Sequence, residues 1–211
     1  MDITPEGFYH VFNQGNNRRL LFDSDSDDYL LFIRLIREKV ADHVGIVSYC
    51  LMPNHFHLMI KTDERCEKRV KIGHIESNPV SKGIQHLLSA YTRIKNKRQN
   101  CSGSLFRQRT HARRLDCSTG CVMNPEYRQD YLLNCFLYIH RNPLKSNLVD
   151  DLSKWPFSSY MEYAGLRNGS LVNKEIALNL NIFDPKHFAA QCHDRQRDII
   201  LNEAGNFEIL L

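Results

Sequence analysis

Three features of the chain predict an α+β, ferredoxin-like fold, βαββαβ, with an antiparallel sheet and helices on one face, followed by a further helix. Strand-like and helix-like periodicities alternate in the order β-α-β-β-α-β. The two middle strands are joined by a Pro53-Asn54 turn, which leaves room only for a hairpin. The strand after that turn alternates apolar and polar side chains, as a half-buried antiparallel strand does.

Phe8 to Asn13 is rich in β-formers and runs into Gly15, giving a first strand closed by a turn. Asp23 to Asp28 supplies capping groups and negative charge for a helix start, after which Tyr29, Phe32, Ile33, Ile36 and Val40 recur at helical spacing. Val44 to Leu51 reads as a buried strand, His55 to Lys61 as its hairpin partner, and Thr62 to Pro79 as a polar loop. Ser81 to Arg98 carries Ile84, Leu87, Leu88, Tyr91 and Ile94 on one stripe, and its basic last turn complements the helix dipole. Cys101 to Ser104 is a turn, and Arg109 to Leu115 a short basic fourth strand. Pro125 to Asn142 is a helix with proline at its start and Pro143 as its stop. Trp155 to Tyr160 opens another short helix. Beyond Gly165 the pattern is weak, so residues 1–164 are expected to form the domain and 165–211 a C-terminal extension.

A chain of 211 residues, 42% of them hydrophobic and 25% charged, suits one globular domain with a modest extension and excludes disorder as its main state. The longest apolar runs, such as Ile46 to Pro53, fall far short of the roughly 20 residues of a membrane span. With no leader-like N-terminus, a cytoplasmic protein with no membrane partner is expected. The seven cysteines, odd in number and scattered, are read as reduced thiols.

The net charge of +4 is unevenly placed. From Ser77 to Leu115 there are nine Lys and Arg and no Asp or Glu, leaving 19 basic against 24 acidic residues elsewhere. A concentrated cationic segment of this kind suits a polyphosphate partner, because each phosphate it neutralises releases condensed counterions.

In the strand His55 to Lys61, Phe56, Leu58 and Ile60 should meet the helices, while His55, His57 and Met59 point to the opposite, open face. Two imidazoles at i and i+2 on a rigid strand can share one divalent ion but are too few to hold it alone. The helix from Pro125 offers a third group. Its buried stripe is Leu132, Cys135, Phe136 and Ile139, and beside it Tyr138 and Asn142 stack one turn apart. Tyr131, about 16 Å along the axis from Asn142, cannot share a small site with it. These groups suit a chemistry in which an ion held by His55, His57 and Asn142 polarises a phosphate while the Tyr138 oxygen attacks phosphorus. Oxygen-rich ligation beside phosphate favours Mg²⁺ or Mn²⁺, while imidazoles also suit Zn²⁺. No residue identifies itself as the base for the phenol.

Five blocks carry a resemblance: Tyr9-His-Val-Phe-Asn-Gln-Gly-Asn-Asn17, Leu51-Met-Pro-Asn-His-Phe-His-Leu-Met-Ile60, Ser104-Leu-Phe-Arg107, Tyr138-Ile-His-Arg-Asn-Pro-Leu144 and Trp155-Pro-Phe-Ser-Ser-Tyr160. In these blocks and their order the chain resembles the single-tyrosine HUH transposases, specifically the REP-associated tyrosine transposase branch of the bacterial insertion-sequence family. The resemblance implies a nuclease and strand transferase acting on single-stranded DNA with imperfect hairpins, leaving a 5′-phosphotyrosine link and a free 3′-hydroxyl. It maps the family's metal-binding histidines onto His55 and His57, its third ligand onto Asn142 and its nucleophile onto Tyr138. Where the family often has Asn-Arg-Gly this chain has Asn13-Gln14-Gly15, which removes one cationic side chain from the first strand. The cationic segment then acquires a role, with Lys95, Lys97, Arg98, Arg107, Arg109, Arg113 and Arg114 tracking DNA backbone and Phe106 or His111 stacking on unpaired bases. Monomer and homodimer both remain open, because the segment 116–124 permits Tyr138 to serve its own histidines or a partner's. Two competing readings are a cleavage-inactive hairpin-binding regulator of the same fold and a zinc-stabilised interaction domain built on His111, Cys117 and Cys121.

Overall fold

In chain order the elements are β1 (Phe8–Gln14), α1 (Ser26–Ile36), β2 (Gly45–Met52), β3 (His55–Lys61), β4 (Val70–Ile72), β5 (Ile75–Ser77), α2 (Pro79–Arg98), β6 (His111–Arg114), α3 (Pro125–Lys145), α4 (Tyr160–Tyr163), α5 (Lys174–Asn179), α6 (Phe188–His193), β7 (Asp198–Leu201) and β8 (Phe207–Leu210). The structure, a computed structural model, describes residues 1, 3–23, 26–67, 70–72, 75–116, 125–194, 198–201 and 207–210. Cys117 and Cys121 lie outside these residues. Among the described residues, no helix is long and apolar enough to cross a membrane.

The main sheet has the order β2-β3-β1-β6 with every pair antiparallel, which is the ferredoxin-like arrangement expected of the βαββαβ pattern. Its two faces are covered differently. Phe56 on β3 meets Phe32 of α1 at 5.2 Å between ring centroids, and Phe32 meets Tyr91 of α2 at 5.1 Å, so α1 and α2 share one face. The opposite face carries His57, which meets Tyr138 of α3. Over β2 and β3 the second face is taken by α3, which reaches His10 of β1 as well and whose apolar stripe needs a partner as much as the sheet does.

Several expectations at the sequence level are refined. Thr62 to Pro79 is more than a loop: it holds a 3-10 turn at Glu64–Cys66, capped by Asp63, and the hairpin β4-β5. Helix α2 begins two residues before Ser81, at Pro79, because the Asn78 side chain accepts from the Ser81 N–H at 2.7 Å and proline suits the first helical position. Pro143 does not stop α3, which runs to Lys145. The stop is Asn147, left-handed at φ 52°, with Leu148 N donating to Pro143 O at 2.9 Å and Asn147 N to Leu144 O at 3.0 Å, the paired bonds of a Schellman ending.

Residues beyond Gly165 pack into the same core. Phe183 and Phe188 lie against Phe136 of α3, at 5.0 and 5.6 Å between centroids, and Asn173 N donates to Ile46 O of β2. Burying a side chain such as Phe136 contributes about 1.5–3 kcal/mol, so this segment has a direct share in holding α3 down. The Trp155 to Ser159 stretch closes the exposed edge of β2, with Leu51 N donating to Phe157 O and Ser159 N to Tyr49 O.

Candidate functional site

Strand register builds the site. Alternation along β3 puts His55, His57 and Met59 on the α3 face, and cross-strand neighbours extend that face in rows. Cys50 on β2, His57, Phe12 on β1 and His111 on β6 form one row; His10 and Arg113 fall in the next, opposite Met59. Under α3, His57 is only 3% exposed and His10 fully buried.

The hydrogen bonds fix how these imidazoles are presented. His55 Nδ1 donates to Asn54 Oδ1 at 2.6 Å, which leaves its lone pair on Nε2. His57 Nδ1 lies 2.9 Å from His10 Nε2, while His57 Nε2 is buried with no hydrogen-bond partner among the described residues. A buried imidazole nitrogen costs about 1–3 kcal/mol when left unsatisfied. When His57 donates through Nδ1 to His10, that nitrogen becomes a second lone pair of the same kind. Burial, together with His55 and His10, holds His57 well below the usual imidazole value. Burial likewise brings His55 down to about 4, against a side-chain hydrogen bond with Asn142 that pulls upward. Both rings are neutral at neutral pH, the form that ligates a metal.

Helix α3 completes the constellation from the same chain. The Tyr138 ring lies 5.4 Å from the His57 ring and 6.1 Å from the His10 ring, edge-on to both. Asn142, 7% exposed, donates through Nδ2 to the Tyr138 carbonyl at 2.8 Å, which holds its amide in place one turn on. Its side chain bonds both His55 and Tyr138. Burial pushes the Tyr138 phenol up to about 12, with nearby Cys135 adding to the rise and the Asn142 bond opposing it. Two imidazole lone pairs and an amide oxygen fit a divalent cation, with His10 behind His57 in the place where metal-binding histidines usually have a hydrogen-bonding support. Among the described residues there is no group of three or more His, Cys, Asp or Glu placed to hold a metal, so a site here depends on the amide.

A cavity of about 200 Å³ opens beside these groups, lined by Phe12, Gln14, His55, His57, Arg107, Arg109, His111 and Tyr138 among others, and among the described residues no acidic one borders it. No family model matches the chain, and neither does any curated protein. Among solved structures, the chain matches that of a REP-associated tyrosine transposase bound to a REP hairpin, with a TM-score of 0.51 and 16% identity over 82% of this chain and 92% of that one. The two chains share a fold. On this fold the histidine strand, the helix carrying the phenol and the cavity beside them all lie within one polypeptide.

The cationic segment divides, and part of its expected role is corrected. Lys95 is 2% exposed and forms ion pairs with Asp23, at 2.6 Å, and with Asp28, so it is a core cation and cannot track DNA. Arg98 pairs with the same Asp28 at 3.1 Å. Arg114 lies on the α1/α2 face, bonded to Asp116 and Thr4 and set over the Tyr9 ring. Lys97 is exposed on the last turn of α2. That leaves Arg107 and Arg109 at the cavity, and Arg113 on the histidine face, where its charge helps depress His10. Of the two stacking candidates, Phe106 is buried in the aromatic core, while His111 is exposed and stacked on Phe12 at 4.9 Å. Sequence reasoning missed His10. The signal was present in β1, where His10, Phe12 and Gln14 alternate with Val11 and Asn13, but the register to β3 was needed to interpret it.

Proposed function

We propose that the protein cuts and rejoins single-stranded DNA at hairpins, as a tyrosine nuclease and strand transferase working with Mg²⁺ or Mn²⁺. One observation carries the reading: Tyr138 packs edge-on against His57 in the same chain, beside a buried imidazole nitrogen that has no hydrogen-bond partner among the described residues. The shared fold with a transposase bound to a hairpin supports it.

In this reading His55, His57 and Asn142 hold the divalent ion, which when bound supplies positive charge to a non-bridging phosphate oxygen. Arg107, Arg109 and Arg113 place the DNA backbone at the cavity, and exposed His111 offers a stacking surface. The Tyr138 oxygen attacks phosphorus. A bond from Oη to phosphorus forms and the bond from phosphorus to the 3′ oxygen breaks, the phenol proton passing to a base as the 3′ oxygen gains one. The products are a 5′-phosphotyrosine and a 3′-hydroxyl, and attack on that phosphotyrosine by a 3′-hydroxyl rejoins the strand. With the phenol raised to about 12, proton removal accompanies attack, and the Asn142 hydrogen bond favours the phenolate as it forms.

The test is incubation of labelled hairpin DNA with the protein and Mn²⁺, followed by a denaturing gel. A covalent adduct is expected with the wild type and absent from Tyr138→Phe. Tight hairpin binding without any adduct would instead identify a DNA-binding regulator.

A further inference from the structure

The strands flanking the two site histidines hold one more group suited to a cation. Register gives each imidazole two cross-strand neighbours on the α3 face: Met52 and Gln14 beside His55, Cys50 and Phe12 beside His57. On the β2 side Cys50 Sγ donates to Met52 Sδ at 3.7 Å, so the two buried sulfurs engage each other. Phe12 stacks on His111 and carries no donor atom. Gln14 is left, and its carboxamide holds the only oxygen among these neighbouring side chains.

Three observations bring that oxygen to the site. Gly15 N donates to Asn54 O at 2.8 Å, which makes the next pair, Gln14 and His55, a non-hydrogen-bonded one, where facing side chains approach most closely. Gln14 lines the same cavity as His55, His57 and Tyr138. Its backbone is fixed, the N–H donating to Asn13 Oδ1 at 2.7 Å and the carbonyl accepting from Arg107 N at 2.8 Å, while among the described residues no hydrogen bond engages its carboxamide.

Charge decides what such a group can do. His55, His57 and Asn142 are neutral ligands, Arg107 and Arg109 line the cavity, and among the described residues no carboxylate does. Mg²⁺ and Mn²⁺ favour oxygen ligands in octahedral shells, which two imidazoles and one amide leave half empty. A second amide adds an oxygen without adding charge, whereas a cation in its place would oppose the ion. Position 14 is also where this chain carries glutamine instead of the arginine common in the family it resembles.

We propose that the Gln14 carboxamide oxygen is a fourth protein ligand of the divalent ion, next to His55. The inference rests on the metal-dependent reading above and deepens it: the ion is gripped from β1 as well as from β3 and α3, and the added oxygen favours Mg²⁺ or Mn²⁺ over softer ions.

The test uses the whole protein and Mn²⁺ without DNA, in calorimetry and in water-proton relaxation, which counts the waters on the bound ion. Gln14→Leu should weaken Mn²⁺ binding by about tenfold and raise the count by about one, as water takes the vacated position. Gln14→Glu keeps the oxygen and adds negative charge, so it should bind Mn²⁺ about tenfold more tightly than the wild type. Gln14→Arg should lose more affinity than Gln14→Leu. A merely structural role would move all three variants in one direction and leave the water count unchanged. The proposal is overturned if Gln14→Leu keeps wild-type affinity and hydration, or if the wild type binds no Mn²⁺. Weaker hairpin binding by Gln14→Leu with Mn²⁺ affinity unchanged would give the amide to the DNA, and overturns it equally. The covalent-adduct assay separates the two ideas. A wild-type adduct with Mn²⁺ binding unchanged in Gln14→Leu removes the fourth ligand alone, while Gln14-dependent Mn²⁺ binding without any wild-type adduct removes the cleavage reading alone.

Discussion

The two sides of α3 bury histidines in the same degree and use them differently. On the outer side His140 is fully buried, donates through Nδ1 to Phe136 O at 2.8 Å and meets Ser159 Oγ through Nε2 at 2.7 Å, enclosed by Phe136, Tyr163 and Phe188. On the sheet side His57 has one nitrogen on His10 and the other buried without a hydrogen-bond partner among the described residues. Burial lowers both rings, His140 to about 3. Desolvation alone therefore does not mark a reactive residue. What distinguishes the sheet side is polar capacity left over after the protein's own bonds are made.

That contrast can be broken by substitution, the largest effect first. His57→Phe should abolish Mn²⁺-dependent adduct formation while changing stability by no more than about 1 kcal/mol in urea unfolding, because the bond lost to His10 is set against an unsatisfied nitrogen removed. Equal damage to stability and activity would place His57 with the core histidines. His10→Phe should weaken Mn²⁺ binding by about 10–100-fold by calorimetry, the usual effect of removing a ligand's hydrogen-bonding support. An affinity equal to wild type would show that His57 needs no such support.

His140→Phe should show the reverse pattern: adduct formation retained per folded molecule, and stability lowered by about 1–3 kcal/mol by the loss of two buried hydrogen bonds. The smallest effect is on the acid side of the stability profile. An unfolded histidine takes up its proton near 6.5, whereas His140 in the fold resists protonation until about 3. Between those values the unfolded state binds more protons, so stability falls as pH falls through this window and is fully present above it. Unfolding midpoints measured from pH 7 down to pH 4 should decline less steeply in His140→Phe than in the wild type.

Much of this was legible because strand alternation is a strict code. Phe8, His55 and Lys61 bound their strands as the residue pattern indicates, and His55 and His57 share a face because they are two apart. Tyr138 and Asn142 were paired by helical spacing, and the fold holds them beside the histidines. The failures come from contacts distant in sequence. Counting charge cannot reveal that Lys95 answers Asp28, 67 residues earlier, or that Arg114 turns to the opposite face from Arg113. Pro143 resembles a stop only while the αL ending at Asn147 is unseen. His10 acquires meaning only through its bond to a residue 47 positions away.

Because the phenol and the imidazoles meet within one polypeptide, the proposed reaction draws both from a single copy. Turnover per molecule should then be unaffected by dilution, and a mixture of chains lacking Tyr138 with chains lacking His57 should stay as inert as either alone.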